Sequence, residues 1–311
     1  MRLLPVSLSY FLEVARTGSV SEAAQALTVA PSAISRQIAK LEAGLGVPLF
    51  SRHPRGMELT EAGALLLAYT RRSEAEVSEL VGELRAGGGA DARRVTVACS
   101  EGFAHRLVPR AMAAFRRERP DVTFQLDVVT REEATRRVAE GIADVGVTYA
   151  MGAQHDVRVE CSVPVPVVAV VPRGHPLAGR DRIGLAEACG YPIALAPAGT
   201  SQRELFDIGT QIEGLTVHPV LVCDRVAPLY EFARAGGGLA LLGDLGDLDE
   251  ESTPDGVVHV RLDHPVFRQR EAQVQTMPGR RLPGSAAQFT GALVAGLRRH
   301  EPRSDAGGSG G

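Results

Sequence analysis

Gly18-Ser19-Val20-Ser21-Glu22-Ala23-Ala24, followed a short way on by Pro31-Ser32-Ala33-Ile34-Ser35-Arg36-Gln37-Ile38, is the stretch whose reading decides the fold. Ser19 and Glu22 have the spacing of a capping box, in which the serine hydroxyl and the glutamate each satisfy a free backbone donor at a helix start. Ala23, Ala24 and Leu27 form the inner face of that short helix, and the small alanines let a neighbouring helix come close. Thr28-Val29-Ala30 is a turn, and Pro31 suits the first position of the next helix. There Ile34, Ile38, Leu41 and Leu45 make an apolar stripe, opposite a polar face of Ser32, Ser35, Arg36, Gln37 and Lys40, and Gly44 and Gly46 close the helix.

Upstream, Leu8, Phe11, Leu12 and Ala15 fall on one face of a first helix that Gly18 is placed to end. Downstream, Leu49 to Arg52 and Met57 to Leu59 flank the turn His53-Pro54-Arg55-Gly56, a small hairpin or wing. Thr60 can cap a long helix reaching about Arg85, with Leu65, Leu66, Tyr69, Val77, Leu80, Val81 and Leu84 as an apolar stripe too wide to leave in water. That helix either packs on its own domain or pairs with a second chain. Pairing is favoured, because the small N-terminal module leaves it little else to cover. Gly87-Gly88-Gly89 ends it at a joint.

From Arg94 the pattern becomes strands alternating with helices. Val95–Cys99, Val122–Val129 and Asp144–Tyr149 read as strands, with a helix to about Arg119 and another opened by the capping box Thr130–Glu133. Such a run predicts a parallel sheet. A second run starts with Val163–Val171 and continues through strands at Ile193–Ala196, Val217–Val222 and Leu239–Leu242, with helices at Gln202–Ile212 and Ala227–Ala235. Val257–Leu262 and Ala272–Met277 are later strands, and a helix over about Ala286–Arg299 precedes a tail expected to be disordered. Two α/β lobes with a cleft between them follow.

The composition limits the function. A chain of 311 residues is expected to hold two or three units, and 44% hydrophobic with 23% charged residues is a soluble globular balance. No apolar run is long enough to span a membrane and the N-terminus lacks the marks of a signal peptide, so a cytoplasmic protein is expected. The net charge of −3 confines any nucleic-acid surface to part of the chain. Lys40 is the only lysine. Cys99, Cys161, Cys189 and Cys223 are far apart and match no metal pattern, which makes buried core residues the simplest reading. The eight histidines are scattered; no HExxH, strand-linked GxGxxG or GxSxG is present, so neither catalytic residues, nor a metal, nor a cofactor is expected.

The N-terminal segment closely resembles the LysR-type transcriptional regulators. The resemblance is carried by Phe11-Leu12-Glu13-Val14-Ala15, Gly18 to Ala24, Ala33 to Ile38, Leu41-Glu42, Leu45 to Phe50, Arg52, and Leu59-Thr60-Glu61-Ala62-Gly63. Weaker likeness continues at Leu107-Val108-Pro109, Asp144-Val145-Gly146, His175 to Ala178 and Gly237 to Leu242. It implies an N-terminal all-α winged helix-turn-helix (1–60), a dimerising linker helix and hinge (61–90), and a C-terminal α/β two-lobed effector domain of the periplasmic-binding-protein type (91–300). Lobe I would comprise about 91–162 and 268–300, lobe II about 163–267, and the tail 301–311. It further implies double-stranded promoter DNA, a small-molecule effector, a homodimer or homotetramer and RNA polymerase as partners.

A helix in the major groove reads base edges from its N-terminal part, so Ser32, Ser35, Arg36, Gln37 and Lys40 are the candidate contacts. Arg52 and Arg55 on the wing would reach backbone or minor groove. Where many relatives have a polar cap and a glutamine, this chain has Ala30 and Pro31; a base-reading amide is missing there. Relatives also tend to have proline after the glycine-rich run, where Gly243 stands here. For the effector, the resemblance together with helix-opening turns points to Ser100, Gly102, Phe103, Thr130, Tyr149, Thr200 and Ser201 around the cleft.

Overall fold

A computed structural model of the chain describes residues 4–53, 56–85, 94–243 and 256–299. Two compact units are distinguished, one of Met1–Arg93 with the short segments Ala139–Ile142 and Met277–Arg281, the other of the remainder.

In the first unit α1 (Val6–Thr17), α2 (Val20–Leu27) and α3 (Pro31–Leu45) surround a core of Phe11, Val14, Ala23, Ala24, Ile34 and Ile38. Gly18 ends α1 in the left-handed conformation, and the Ser19 hydroxyl accepts the Glu22 N–H at 3.4 Å. Pro31 opens α3. The sequence-based stripe of α3 is too long by one turn: Leu45 is exposed, and Gly44 lies inside the helix, with Gly46 ending it. β1 (Phe50–His53) and β2 (Gly56–Leu59) form the antiparallel wing. Glu42 anchors the wing's root by accepting the N–H groups of Leu49 (2.7 Å) and Phe50 (3.3 Å). Thr60 caps α4 (Glu61–Arg85) through the Gly63 N–H at 3.0 Å, and its own hydroxyl donates to Pro48 O. A side chain at Gly63 would collide with Leu49 O, so glycine is required where α4 crosses the wing.

In the second unit, lobe I contains β3 (Arg94–Cys99), α5 (Glu101–Ala104), α6 (Leu107–Glu118), β4 (Thr123–Val128), α7 (Arg131–Ala139), β5 (Val145–Ala150) and β6 (Arg158–Pro164). Lobe II contains β7 (Val167–Pro172), β8 (Arg182–Ile183), α8 (Leu185–Cys189), β9 (Ile193–Leu195), α9 (Ser201–Ile212), β10 (Leu221–Val222), α10 (Val226–Arg234), β11 (Leu239–Gly243) and β12 (Val257–Leu262). The chain then returns to lobe I as β13 (Glu271–Thr276) and α11 (Gly284–Arg299).

The sheets run β4-β3-β5-β13-β6 and β10-β9-β11-β7-β12-β8. Each has three neighbouring parallel strands, β4, β3 and β5 or β10, β9 and β11. The lobe I run β3, β4, β5 is parallel, as its alternation predicts, and β13 joins it antiparallel to both β5 and β6; in the second run the expectation is corrected at β7, which is antiparallel to both β11 and β12. The reading of Val163–Val171 as one strand is also corrected. Pro164 and Pro166 lack the N–H a ladder needs, and the chain leaves one sheet there and enters the other. The single helix expected up to Arg119 is two, α5 and α6, and the strand expected over Val217–Val222 shortens to Leu221–Val222.

Candidate functional site

On α3 the exposed face is the one the sequence marks. Ser32, Ser35, Arg36 and Lys40 are exposed, and Gln37 is half-buried between them and the core. Ala30 holds the N-cap position in the extended conformation but offers no side-chain acceptor, so the first turn of α3 has no side-chain cap. Arg52 is described only as backbone within β1, and Arg55 lies outside the described residues. The α4 stripe divides: Leu65 is 71% exposed, Tyr69 55% and Leu80 48%, whereas Leu66 packs against the N-terminal core and Val77 and Val81 are half-buried.

In the second unit the loops that follow the two parallel triplets face one another. In open α/β sheets a ligand site forms beyond the carboxyl ends of the strands, where the chain winds away on both sides of a central strand. β3 and β9 are those central strands. A cavity of about 850 Å³ lies there, lined from lobe I by Ser100, Gly102, Thr130 and Tyr149 and from lobe II by Thr200, Ser201 and Tyr230. Of the seven positions expected at the cleft, six line it. Phe103 does not: it is fully buried, its ring packed 4.3 Å from that of Tyr149, because a phenyl side chain on the first turn after β3 is drawn into the lobe I core. Several of the six are also committed to local bonds. Ser100 shares a 2.8 Å hydrogen bond with Thr148, Thr130 accepts the Glu133 N–H, and Thr200 accepts the Arg203 N–H.

Three features of the cleft were not visible in the sequence. The Glu101 carboxylate of lobe I accepts the Val226 N–H at 2.8 and 3.0 Å, at the first turn of α10 in lobe II. Arg131 of α7 faces Glu204 of α9 at 3.5 Å, a second tie across the opening. The third is Arg270, 2% exposed, whose guanidinium carbon lies 4.2 Å from the centroid of the Tyr149 ring. Burial pushes this guanidinium below its ordinary range, opposed by the neighbouring Tyr149, and burial pushes the Tyr149 phenol up. A side chain at Gly243 would run into the Arg270 guanidinium, and one at Gly102 into the Tyr149 hydroxyl. Those two glycines leave room for the stacked pair.

The cysteines divide. Cys99 and Cys161 are core residues, with the Cys99 thiol pushed up to about 12 by burial. Cys189 and Cys223 are half-buried; the Cys189 thiol is pushed up to about 11 by burial and by the nearby Glu213, and Cys223 lines the cleft. Among the described residues no helix is long and apolar enough to cross a membrane, and no group of three or more His, Cys, Asp or Glu could hold a metal ion.

A winged helix-turn-helix joined to a two-lobed domain with a small-molecule-sized cleft defines a ligand-responsive DNA-binding regulator. Residues 6–64 match the bacterial regulatory helix-turn-helix proteins of the lysR family, and residues 88–298 match the LysR substrate binding domain. The chain belongs to the LysR family of transcriptional regulators, and it is not an enzyme. Among its relatives is the HTH-type transcriptional regulator YybE of Bacillus subtilis, 28% identical over 282 residues that cover 91% of this chain and 95% of that one. Another is the RuBisCO operon transcriptional regulator of Allochromatium vinosum, 28% identical over 76% of this chain and 78% of that one. In fold it is similar to HinK of Pseudomonas aeruginosa, with a TM-score of 0.54 at 24% identity, covering 94% of this chain and 97% of the other.

Proposed function

We propose that this regulator binds promoter DNA as a homodimer or homotetramer and that a small metabolite in the cleft changes how the dimers engage the operator. The observation that carries the reading is the cavity of about 850 Å³ at the carboxyl ends of both parallel triplets, in a chain whose α3 leaves a polar face open. Ser32, Ser35, Arg36 and Lys40 are the groups offered to the major groove, with Gln37 beside them, and the sequence adds Arg52 and Arg55 as candidate backbone or minor-groove contacts. With no amide at positions 30 and 31, half-site spacing and DNA bending carry more of the specificity than side-chain readout. The exposed Leu65, Tyr69 and Leu80 support pairing of α4 with a second chain. Ties such as Glu101 to Val226 and Arg131 to Glu204 give the lobes a closed arrangement whose population an effector can shift. The setting is the cytoplasm, with RNA polymerase as the downstream contact.

The test is binding of the full chain to the DNA upstream of its own gene at two ionic strengths. Phosphate neutralisation predicts an affinity that falls steeply, by about 10³-fold or more between 50 and 200 mM salt for six or more phosphate contacts. Absent or salt-insensitive binding overturns the reading.

A further inference from the structure

The cleft holds a positive charge that the protein itself does not answer. Of the other arginines that line the cavity, Arg131, Arg225 and Arg234 each have a carboxylate within 4 Å (Glu132, Asp224 and Glu231), and Arg106 is only half-buried. The Glu101 carboxylate is occupied by the Val226 N–H and His105. Arg270 has no carboxylate partner among the described residues. Its Nε–H donates to Val165 O at 3.2 Å, while its Nη2 is buried with no hydrogen-bond partner. Burying a cation without a counter-charge or a full set of acceptors is costly, so a protein that keeps one in its ligand cleft has a use for the missing anion.

We propose that the effector is a small organic carboxylate and that Arg270 receives its carboxylate group. The proposal rests on the cleft being the effector site. A guanidinium presents donors in a planar fork that matches a carboxylate, and in a site closed to water such a pair is strong. The Tyr149 ring is packed against the guanidinium and the bare Gly243 lies beside it, and all three residues line the cavity. A second unanswered group marks where the rest of the molecule lies: the Tyr230 hydroxyl of α10 also lines the cleft and is buried with no partner. Val128, Pro197 and Leu242 supply apolar wall, so the ligand has a hydrocarbon body and a second polar atom as well as its charged head.

Arg270 also stands where charge and lobe geometry meet. The chain passes between the lobes twice, at 164–167 and at 262–271. Val165 on the first passage and Arg270 on the second are joined by the Val165 N–H donating to Arg270 O at 2.9 Å and the Arg270 Nε–H donating to Val165 O. A carboxylate drawing on the guanidinium acts on the joint that sets the angle between the lobes.

The experiment is thermal melting of the full chain with acetate, benzoate, succinate and the neutral benzamide, each against sodium chloride of equal ionic strength. At about 20 mM, a carboxylate that binds near 1 mM raises the melting temperature by about 3–6 °C. The Arg270→Gln variant, which keeps a donor for Val165 O, is expected to lose that rise, and Arg270→Lys, which keeps the charge, to retain part of it. The proposal is overturned if no carboxylate stabilises the wild type, if benzamide does so as well as benzoate, or if the rise survives in Arg270→Gln. Promoter binding measured in parallel separates the two readings. Failure of the carboxylate proposal alone leaves it intact, whereas a chain that is no regulator shows none.

Discussion

In the N-terminal unit the buried side chains around Phe11 are apolar and the described charges stand outside, whereas the sensor buries Arg270 beside an aromatic ring. The first arrangement is an exposed polar face carried on an apolar block: what the face contacts can change without disturbing what holds it up. In the second, the group that would meet the ligand is also a structural tie between the two lobe passages. Binding and stability are therefore separable in one region and coupled in the other.

The most severe way to break this contrast is at the block itself. Phe11 is fully buried against Phe50, with ring centroids 5.3 Å apart. Phe11→Ala is expected to cost about 3–5 kcal/mol. In calorimetry the transition of the N-terminal unit should collapse and DNA binding vanish, while the sensor melts as before. A sensor transition that falls along with it would show that the regions are not independent. Arg36→Ala probes the face instead. Losing a base-edge or phosphate contact should weaken binding to the mapped operator by about 1–3 kcal/mol with the melting temperature unchanged. Unaltered affinity would remove Arg36 from the interface.

A sensor charge on the surface should behave unlike Arg270. Arg136 and Arg137 hold the Glu133 carboxyl at about 2, down from 4.5, by hydrogen bonding and charge. Because the folded value is the lower one, the stabilisation is complete above pH 4.5 and is lost as pH falls towards 2. Glu133 is 29% exposed, and screening keeps the effect below about 1 kcal/mol. Acid melts of wild type and Glu133→Gln should converge over that window; a constant gap would mean the charge is not what matters. The smallest effect is at Ala30, whose backbone already has N-cap geometry without a side-chain acceptor. Ala30→Ser should stabilise the N-terminal unit by about 0.5–1 kcal/mol in urea denaturation, and no gain would mean that the first turn of α3 is satisfied by other means.

The two regions also differed in how far the sequence could be read. Every signal in the N-terminal unit is local: the Ser19 cap, the Pro31 start and the stripe through Ile34 and Ile38 all lie within a few turns of what they specify. Only its edge slipped, where Leu45 follows the helical period but has nothing left to pack on. In the sensor the parallel triplet of lobe I was legible from its alternation, but β6 and β8 were missed, and nothing local announces that β13 pairs with β5 and β6 across the whole of lobe II. Loop positions such as Ser100, Thr130 and Thr200 could be placed at the cleft because each ends a strand or opens a helix. Arg270 could not. In Arg268-Gln269-Arg270-Glu271 it reads as one more surface charge, and only the passage between lobes takes it out of water.

The position of β13 between β5 and β6 has a consequence for synthesis. On the ribosome the reading unit emerges first, and every strand of lobe II is made before lobe I can close its sheet. A message that stops short of Glu271 therefore yields a chain that carries the whole winged helix-turn-helix but an unfinished receiver. Such a fragment would keep the part that engages DNA while deaf to any effector, so for this architecture premature termination is not a simple loss of gene dosage.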